Sequence, residues 1–316
     1  MRHIEDLRKL LSARRPVAAA VVVTVAAGLV AGCGSGAATV GTATSGTAGA
    51  CGAPLPSTAP GAAKGGVRIT AAGPACAEYE VTNAGSVPSD VTAVFTVLSA
   101  AGGALDTVTQ TVPAVAPGAT VKGRIDLGRI GSAWPAGADP AARPGSGSGS
   151  GPGVKVTKVR SVPSAEAPQP AGPCPASGLR LYADDGDAAM GLRVMGLHLR
   201  NCGTSTVTVN GYPKLQLLDP EHRPIEGVRF LSGGAEIAAG TGADNPPQEI
   251  ALKPGEGARS ALVWRNTAQD GEPINATYAR VRAFPDAAPV MIIPELDLGT
   301  TGRLGIGAWT REDGRP

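Results

Sequence analysis

The chain has 316 residues, enough for about two domains at roughly 100–200 residues each. Its 45 glycines and 28 prolines point to turns and linkers, while a hydrophobic share of 42% supplies cores and excludes a wholly disordered chain. A formal net charge of +2 excludes a strongly basic nucleic-acid binder.

The first fifteen residues carry Arg2, Arg8, Lys9, Arg14 and Arg15 against Glu5 and Asp6. Pro16 to Val30 is then an apolar run without a charge, shorter than the roughly 20 residues that span a bilayer. A basic segment followed by a short apolar one is the pattern of an export signal, expected here over 1–32. Arg14-Arg15 leaves twin-arginine export open beside the general route. The run ends in Val30-Ala31-Gly32-Cys33, which resembles the lipobox of bacterial lipoproteins. The resemblance implies cleavage before Cys33 and attachment of acyl chains, palmitate among them, to that cysteine. Each buried CH₂ contributes about 0.8 kcal/mol, so two or three chains anchor a protein stably on the outer face of the cell membrane. Loss of 1–32 removes five of the 28 Lys and Arg and two of the 26 Asp and Glu, leaving a net charge of −1.

Residues 34–66 are almost entirely Gly, Ala, Ser, Thr and Pro, so 33–66 reads as a lipidated cysteine and flexible tether. Period-two alternation follows. Ala77, Tyr79 and Val81, then Val91, Ala93, Phe95 and Val97, then Gly123, Ile125 and Leu127, each form one inward set. A Gly/Ser loop at 135–153 precedes the last strand, VKVTKVRSV, so the first domain is expected over 67–163. Residues 164–173 read as a linker and 174–316 as the second domain. There the inward pairs are Leu179/Leu181, Leu197/Leu199, Leu215/Leu217, Leu262/Trp264, Val281/Ala283 and Leu304/Ile306. The inward set switches parity near Gly196, which predicts a β-bulge. The expected class is all-β, two immunoglobulin-like β-sandwiches. Both halves share punctuation: Asn83-Ala84-Gly85-Ser86 and Asn201-Cys202-Gly203-Thr204 end a strand, and Pro117-Gly118 and Pro254-Gly255 precede another.

The first domain resembles the small immunoglobulin-like domains of bacterial surface proteins. In the second, Cys174-Pro175, LHLRNCGTSTVTVNGYPKLQLLD, LKPGEGARSALVWRNT and LDLGTTGRLGIGAWT resemble a domain of actinobacterial secreted proteins and lipoproteins, domain of unknown function 4232. Asn210-Gly211-Tyr212-Pro213 is its most recognisable piece. The resemblance implies a secreted β-sandwich and supplies no catalytic residues; family members carry further cysteines, whereas none occurs here after Cys202.

With Cys33 assigned to lipid, Cys51, Cys76, Cys174 and Cys202 remain in an oxidising location, allowing three connectivities. One bridge per domain, Cys51–Cys76 and Cys174–Cys202, is the expected pairing, with Cys51 left free or paired between molecules as the alternative. Such a Cys51 bridge shortens the tether to Gly34–Ala50. No C-x₂-C pair or histidine cluster favours a metal. His198 and His222 are the histidines left after cleavage, and no G-x-S-x-G elbow accompanies them. Asp184-Asp185-Gly186-Asp187 misses the EF-hand spacing and reads as a solvated turn. Trp264, Trp309 and Tyr212 read as core anchors before ligand platforms. Asn275-Ala276-Thr277 is a formal glycosylation sequon of little weight in a bacterial lipoprotein. The expectation is a non-enzymatic binding or structural module, without cofactor or metal. Its partners are the membrane through the anchor and an envelope protein or cell-wall component, not nucleic acid. The rival readings are a small-ligand carrier with a pocket between domains or sheets, and an envelope hydrolase.

Overall fold

The computed structural model describes residues 51–73, 75–99, 102–127 and 153–312. Cys33, the export signal and the loop expected at 135–153, apart from Gly153, lie outside the described residues.

Eight strands form the first sandwich: β1 Ala53–Pro54, β2 Ala63–Lys64, β3 Val67–Ala72, β4 Cys76–Thr82, β5 Ser89–Leu98, β6 Ala104–Val115, β7 Thr120–Asp126 and β8 Val154–Pro163. One sheet runs β1-β3-β4-β7 with β2 beside β3; the other runs β6-β5-β8. The alternation sets which side chains meet. Ala77, Tyr79 and Val81 from one sheet, and Val91, Ala93, Phe95 and Val97 from the other, share one buried cluster. Each large apolar side chain so buried contributes roughly 1.5–3 kcal/mol. The Tyr79 and Phe95 rings lie 5.0 Å apart. Gly123 stands opposite Tyr79 in register, and a side chain there would collide with the tyrosine ring.

The folded chain begins earlier than the expected boundary at 67. Cys51 and Ala62 are buried, and β1 and β2 both pair with β3. The Val156 N–H donates to the Gly61 carbonyl, so residues 51–66 close one side of the sandwich instead of tethering it. Close approach is the reason for the small residues: a Cβ at Gly61 would crowd Lys155, and one at Gly66 would strike the Thr82 carbonyl.

Fourteen strands form the second part: β9 Leu179–Ala183, β10 Asp187–Ala189, β11 Leu192–Asn201, β12 Val207–Asn210, β13 Lys214–Leu218, β14 Arg229–Ser232, β15 Glu249–Leu252, β16 Gly257–Arg265, β17 Asn275–Ala276, β18 Tyr278–Arg282, β19 Val290–Ile292, β20 Leu296–Asp297, β21 Arg303–Ile306 and β22 Thr310–Arg311. A seven-stranded sheet runs β10-β11-β16-β21-β14, with β9 beside β11 and β22 beside β16. Smaller sheets, β13-β18-β19, β12-β15 and β17-β20, complete this part. The six inward pairs read from sequence all belong to its core or pack against it.

The bulge expected near Gly196 is not in its own strand. β11 pairs with β16 in unbroken register from Leu192 to Arg200, with Met195, Leu197 and Leu199 buried on one face. Leu192 and Val194 lie on the other face, and their apolar character imitated a change of parity. The irregularity is in the facing edge: Ala183 opposes Leu197 and Asp187 opposes Val194, so residues 184–186 span what Met195 and Gly196 span on β11.

The shared punctuation is one device built twice. Asn83 and Asn201 are both buried. Asn83 Nδ2 donates to the Val87 and Val115 carbonyls, and its Oδ1 accepts from the Gly85 N–H. Asn201 Nδ2 donates to the Ser205 and Leu252 carbonyls, and its Oδ1 accepts from the Gly203 N–H. The turn glycines complete the match, Gly118 donating to the Asn83 carbonyl and Gly255 to that of Asn201. Gly118 and Gly255 have φ of 71° and 86°, as the second central position of a type II turn demands.

The expected linker at 164–173 carries a 3-10 turn, Ser164–Glu166, fastened on both sides. Ser164 Oγ donates to Asp90 at 2.5 Å in the first sandwich, and Glu166 pairs with Arg280 at 2.7 Å in the second.

Candidate functional site

Register fixes the poles of the first sandwich. Cys76 lies across from Asp126 and Val97 from Val154, so these ends share a pole with the Cys51–Cys76 bridge. Thr82, Ser89, Thr120 and Pro163 mark the opposite pole, from which the chain passes to the second sandwich.

The junction there is built from long-range contacts. Val162 of β8 packs with Leu218, Tyr278 and Met291 in a separate buried cluster. The peptide groups of Ser161 are bracketed by two rings: its N–H donates to Tyr278 Oη at 3.0 Å, and its carbonyl accepts from His222 Nε2 at 2.8 Å. The two rings meet edge to face at 4.6 Å. Arg160 forms a fork on Glu295 at 2.6 and 2.9 Å, with Lys158 at 3.3 Å. Burial alone raises the Glu295 carboxyl, yet the Arg160 hydrogen bond and the Arg160 and Lys158 charges hold it below the usual glutamate range. The Glu295 bond to Arg160 raises that guanidinium in turn. Burial pushes the Tyr278 phenol up. Sequence reading did not single out Tyr278 or Glu295, and treated His222 only as a potential catalytic base. Nothing local in the chain joins them to Arg160 and Ser161, 61 to 135 positions away.

The other singled-out residues occupy separate places. His198 projects from β11 between two carboxylates, Nδ1 3.0 Å from Glu312 and Nε2 3.4 Å from Asp184, and stacks on Tyr182. Among the described residues neither His198 nor His222 is hydrogen-bonded to a hydroxyl or thiol. Asp184 Oδ1 accepts the Gly186 and Gly196 N–H groups, so it clamps the bulged edge. No group of three or more His, Cys, Asp or Glu suited to a metal occurs among the described residues. Trp309 is fully buried and donates from Nε1 to the Ala283 carbonyl; Trp264 is buried nearby in the same core. Tyr212 is half-buried against that core. Asn275 is exposed on β17. Sulfur bonds join Cys51 to Cys76 and Cys174 to Cys202.

Among the described residues, depressions open on the second part in at least three places. One of about 80 Å³ lies under the linker, where Ala167 and Gln169 face Leu181 and Val290. One of about 320 Å³ is rimmed by Asp185, Asp187 and Asp297 over Trp264 and Met195. The third, about 260 Å³, lies between β13 and β14, with Tyr212, Leu215, Phe230 and Ile306 along it.

Fold and surface together define an all-β protein of two stacked sandwiches joined by a locked junction. Residues 174–310, the second sandwich, match the family model described as Domain of unknown function (DUF4232). Among curated proteins none matches the chain. A solved chain described as a beta-galactosidase from Bacteroides fragilis aligns at 12% identity and a TM-score of 0.16, covering 72% of this chain. The alignment spans only 36% of that protein's length, and a score so low carries no argument.

Proposed function

We propose that the protein is a lipid-anchored, extracytoplasmic binding or structural module of the cell envelope, without catalysis, held at the membrane through Cys33. The observation that carries this reading is the charge-free run ending in Val30-Ala31-Gly32-Cys33 behind a basic segment. The stacking of the sandwiches supports it. The chain enters the first sandwich at the Cys51 pole and leaves at the Pro163 pole, so the first domain acts as a spacer and the second stands farther out.

Metabolic labelling with an alkyne-bearing palmitate tests the anchor. The wild-type chain is expected to take up label and sediment with membranes, and Cys33→Ser to lose both. Unlabelled wild type, or full membrane retention of the variant, overturns the anchor. Crosslinking on intact cells with the full chain tests the binding role; no envelope component enriched over a tether-only control overturns it. The depression over Trp264, near the lower end of ligand-pocket size, favours the carrier reading in second place.

A further inference from the structure

We infer that Met190 is a surface modification site, where the thioether takes one oxygen atom from a hydroperoxide and becomes a sulfoxide. The inference goes beyond the binding-module reading and borrows from it only the removal of 1–32 and the acylation of Cys33.

The sequence holds five cysteines and four methionines. Cys51, Cys76, Cys174 and Cys202 are consumed in the two bridges. Met1 and Cys33 lie outside the described residues; under the proposed anchor the first leaves with the export signal and the second is acylated. Met291 is fully buried and Met195 is 9% exposed, both inside apolar clusters. Met190 is 98% exposed, and the next large apolar side chain among the described residues reaches only 47%. Among those residues it is the one reduced sulfur open to solvent.

Met190 and Gly191 form the two-residue turn between β10 and β11, across which Ala189 pairs with Leu192. Both have positive φ, 45° and 79°, as a type I′ turn demands, and asparagine, aspartate or glycine ordinarily meets that demand at the first position. A long side chain there strains the backbone and gains no packing, so neither the turn nor a core accounts for it. The turn itself is braced. Arg265 Nη1 donates to the Met190 carbonyl at 3.3 Å, and the Asn266 N–H donates to the Gly191 carbonyl at 3.2 Å. In the reaction a sulfur lone pair attacks one peroxide oxygen, and an S–O bond forms as the O–O bond breaks. The departing hydroxide takes the proton of the transferred oxygen and leaves as water. Sulfur is oxidised by two electrons and the peroxide is reduced. The product is polar, so an apolar tip becomes a hydrogen-bond acceptor while the cores stay untouched.

The test exposes the full chain, purified from cells in detergent, to hydrogen peroxide beside the same chain unfolded in guanidinium, and maps oxygen uptake by peptide mass. Met190 in the folded chain is expected to oxidise within about twofold of its unfolded rate, because nothing shields it. Met195 and Met291 react only from opened states and should be slowed at least about tenfold. Slower oxidation of Met190, or weaker protection of the other two, overturns the inference. Met190→Leu should abolish methionine oxidation at a dose that adds one oxygen to each wild-type chain, and unchanged oxidation overturns the inference too. The chain oxidised at Met190 alone should keep its urea midpoint; a lower midpoint overturns the surface assignment. Peptide mapping reads each methionine separately from Cys33, so the result stands whether or not that cysteine is acylated.

Discussion

Replacing Asn201 with Ala removes a side chain that ties its own turn, through Gly203 and Ser205, to the strand end at Leu252. The Leu252 carbonyl it satisfies is buried, so losing that partner costs about 1–3 kcal/mol with no water to replace it. The Ser205 carbonyl and Gly203 N–H are only partly buried, and water recovers some of their loss, leaving about 0.5–1.5 kcal/mol each. Together the change is expected to destabilise the second sandwich by about 2–6 kcal/mol, a large fraction of an ordinary domain's stability. Urea unfolding reports it through the fluorescence of Trp264 and Trp309, both buried in that core. Asn83→Ala makes the same bonds disappear in the first sandwich, where the Val115 carbonyl is the buried one, and should be destabilising to within about 1 kcal/mol of its counterpart. A midpoint for Asn201→Ala within about 0.5 kcal/mol of wild type would refute the claim that this side chain fastens the corner.

Breaking the Cys174–Cys202 bridge by a double serine substitution opens a loop of 28 residues, with an expected loss of roughly 3–4 kcal/mol in the same urea experiment. Tyr278→Phe removes the acceptor of the Ser161 N–H and should lower stability by about 1 kcal/mol, read by thermal unfolding at constant pH. Glu295 is held below its ordinary value in the folded state, so its stabilisation is complete above that value, near 4.5, and is lost as pH falls through the folded one. Glu295→Gln should accordingly flatten the acid limb of the stability profile below about pH 4.5, leaving its shape at neutral pH unchanged; an unaltered acid limb counts against the pairing.

What was legible in the chain was local and periodic. The inward set Val91, Ala93, Phe95 and Val97 needs only the two-residue repeat of a strand, and its burial follows from that repeat. Asn followed two residues on by Gly marked both corners, although spacing alone could not say that one amide would reach a strand 51 positions away. Gly196 misled because Leu192 and Val194 are apolar on the outer face, and alternation counts side chains without knowing which face is covered. Residues 51–66 read as tether because low-complexity composition measures missing bulk, and bulk is what close approach to Lys155 and Thr82 forbids. Ser161, His222, Tyr278 and Glu295 come together only when both sandwiches have formed.

The stitch between Gly61 and Val156 bears on how the molecule answers a pull. Tension applied through the Cys51 end enters at the bridge to Cys76, in the sheet of β4, and leaves through Pro163 at the end of β8, in the opposite sheet. Such a load cannot be relieved by unzipping one ladder bond by bond. It must slide one sheet across the other, against the interlocked Tyr79 and Phe95 rings and the Gly61–Val156 bond that joins the two layers at their side. Shearing many contacts at once demands far more force than peeling them in sequence, so the first sandwich is suited to transmit tension while keeping its length.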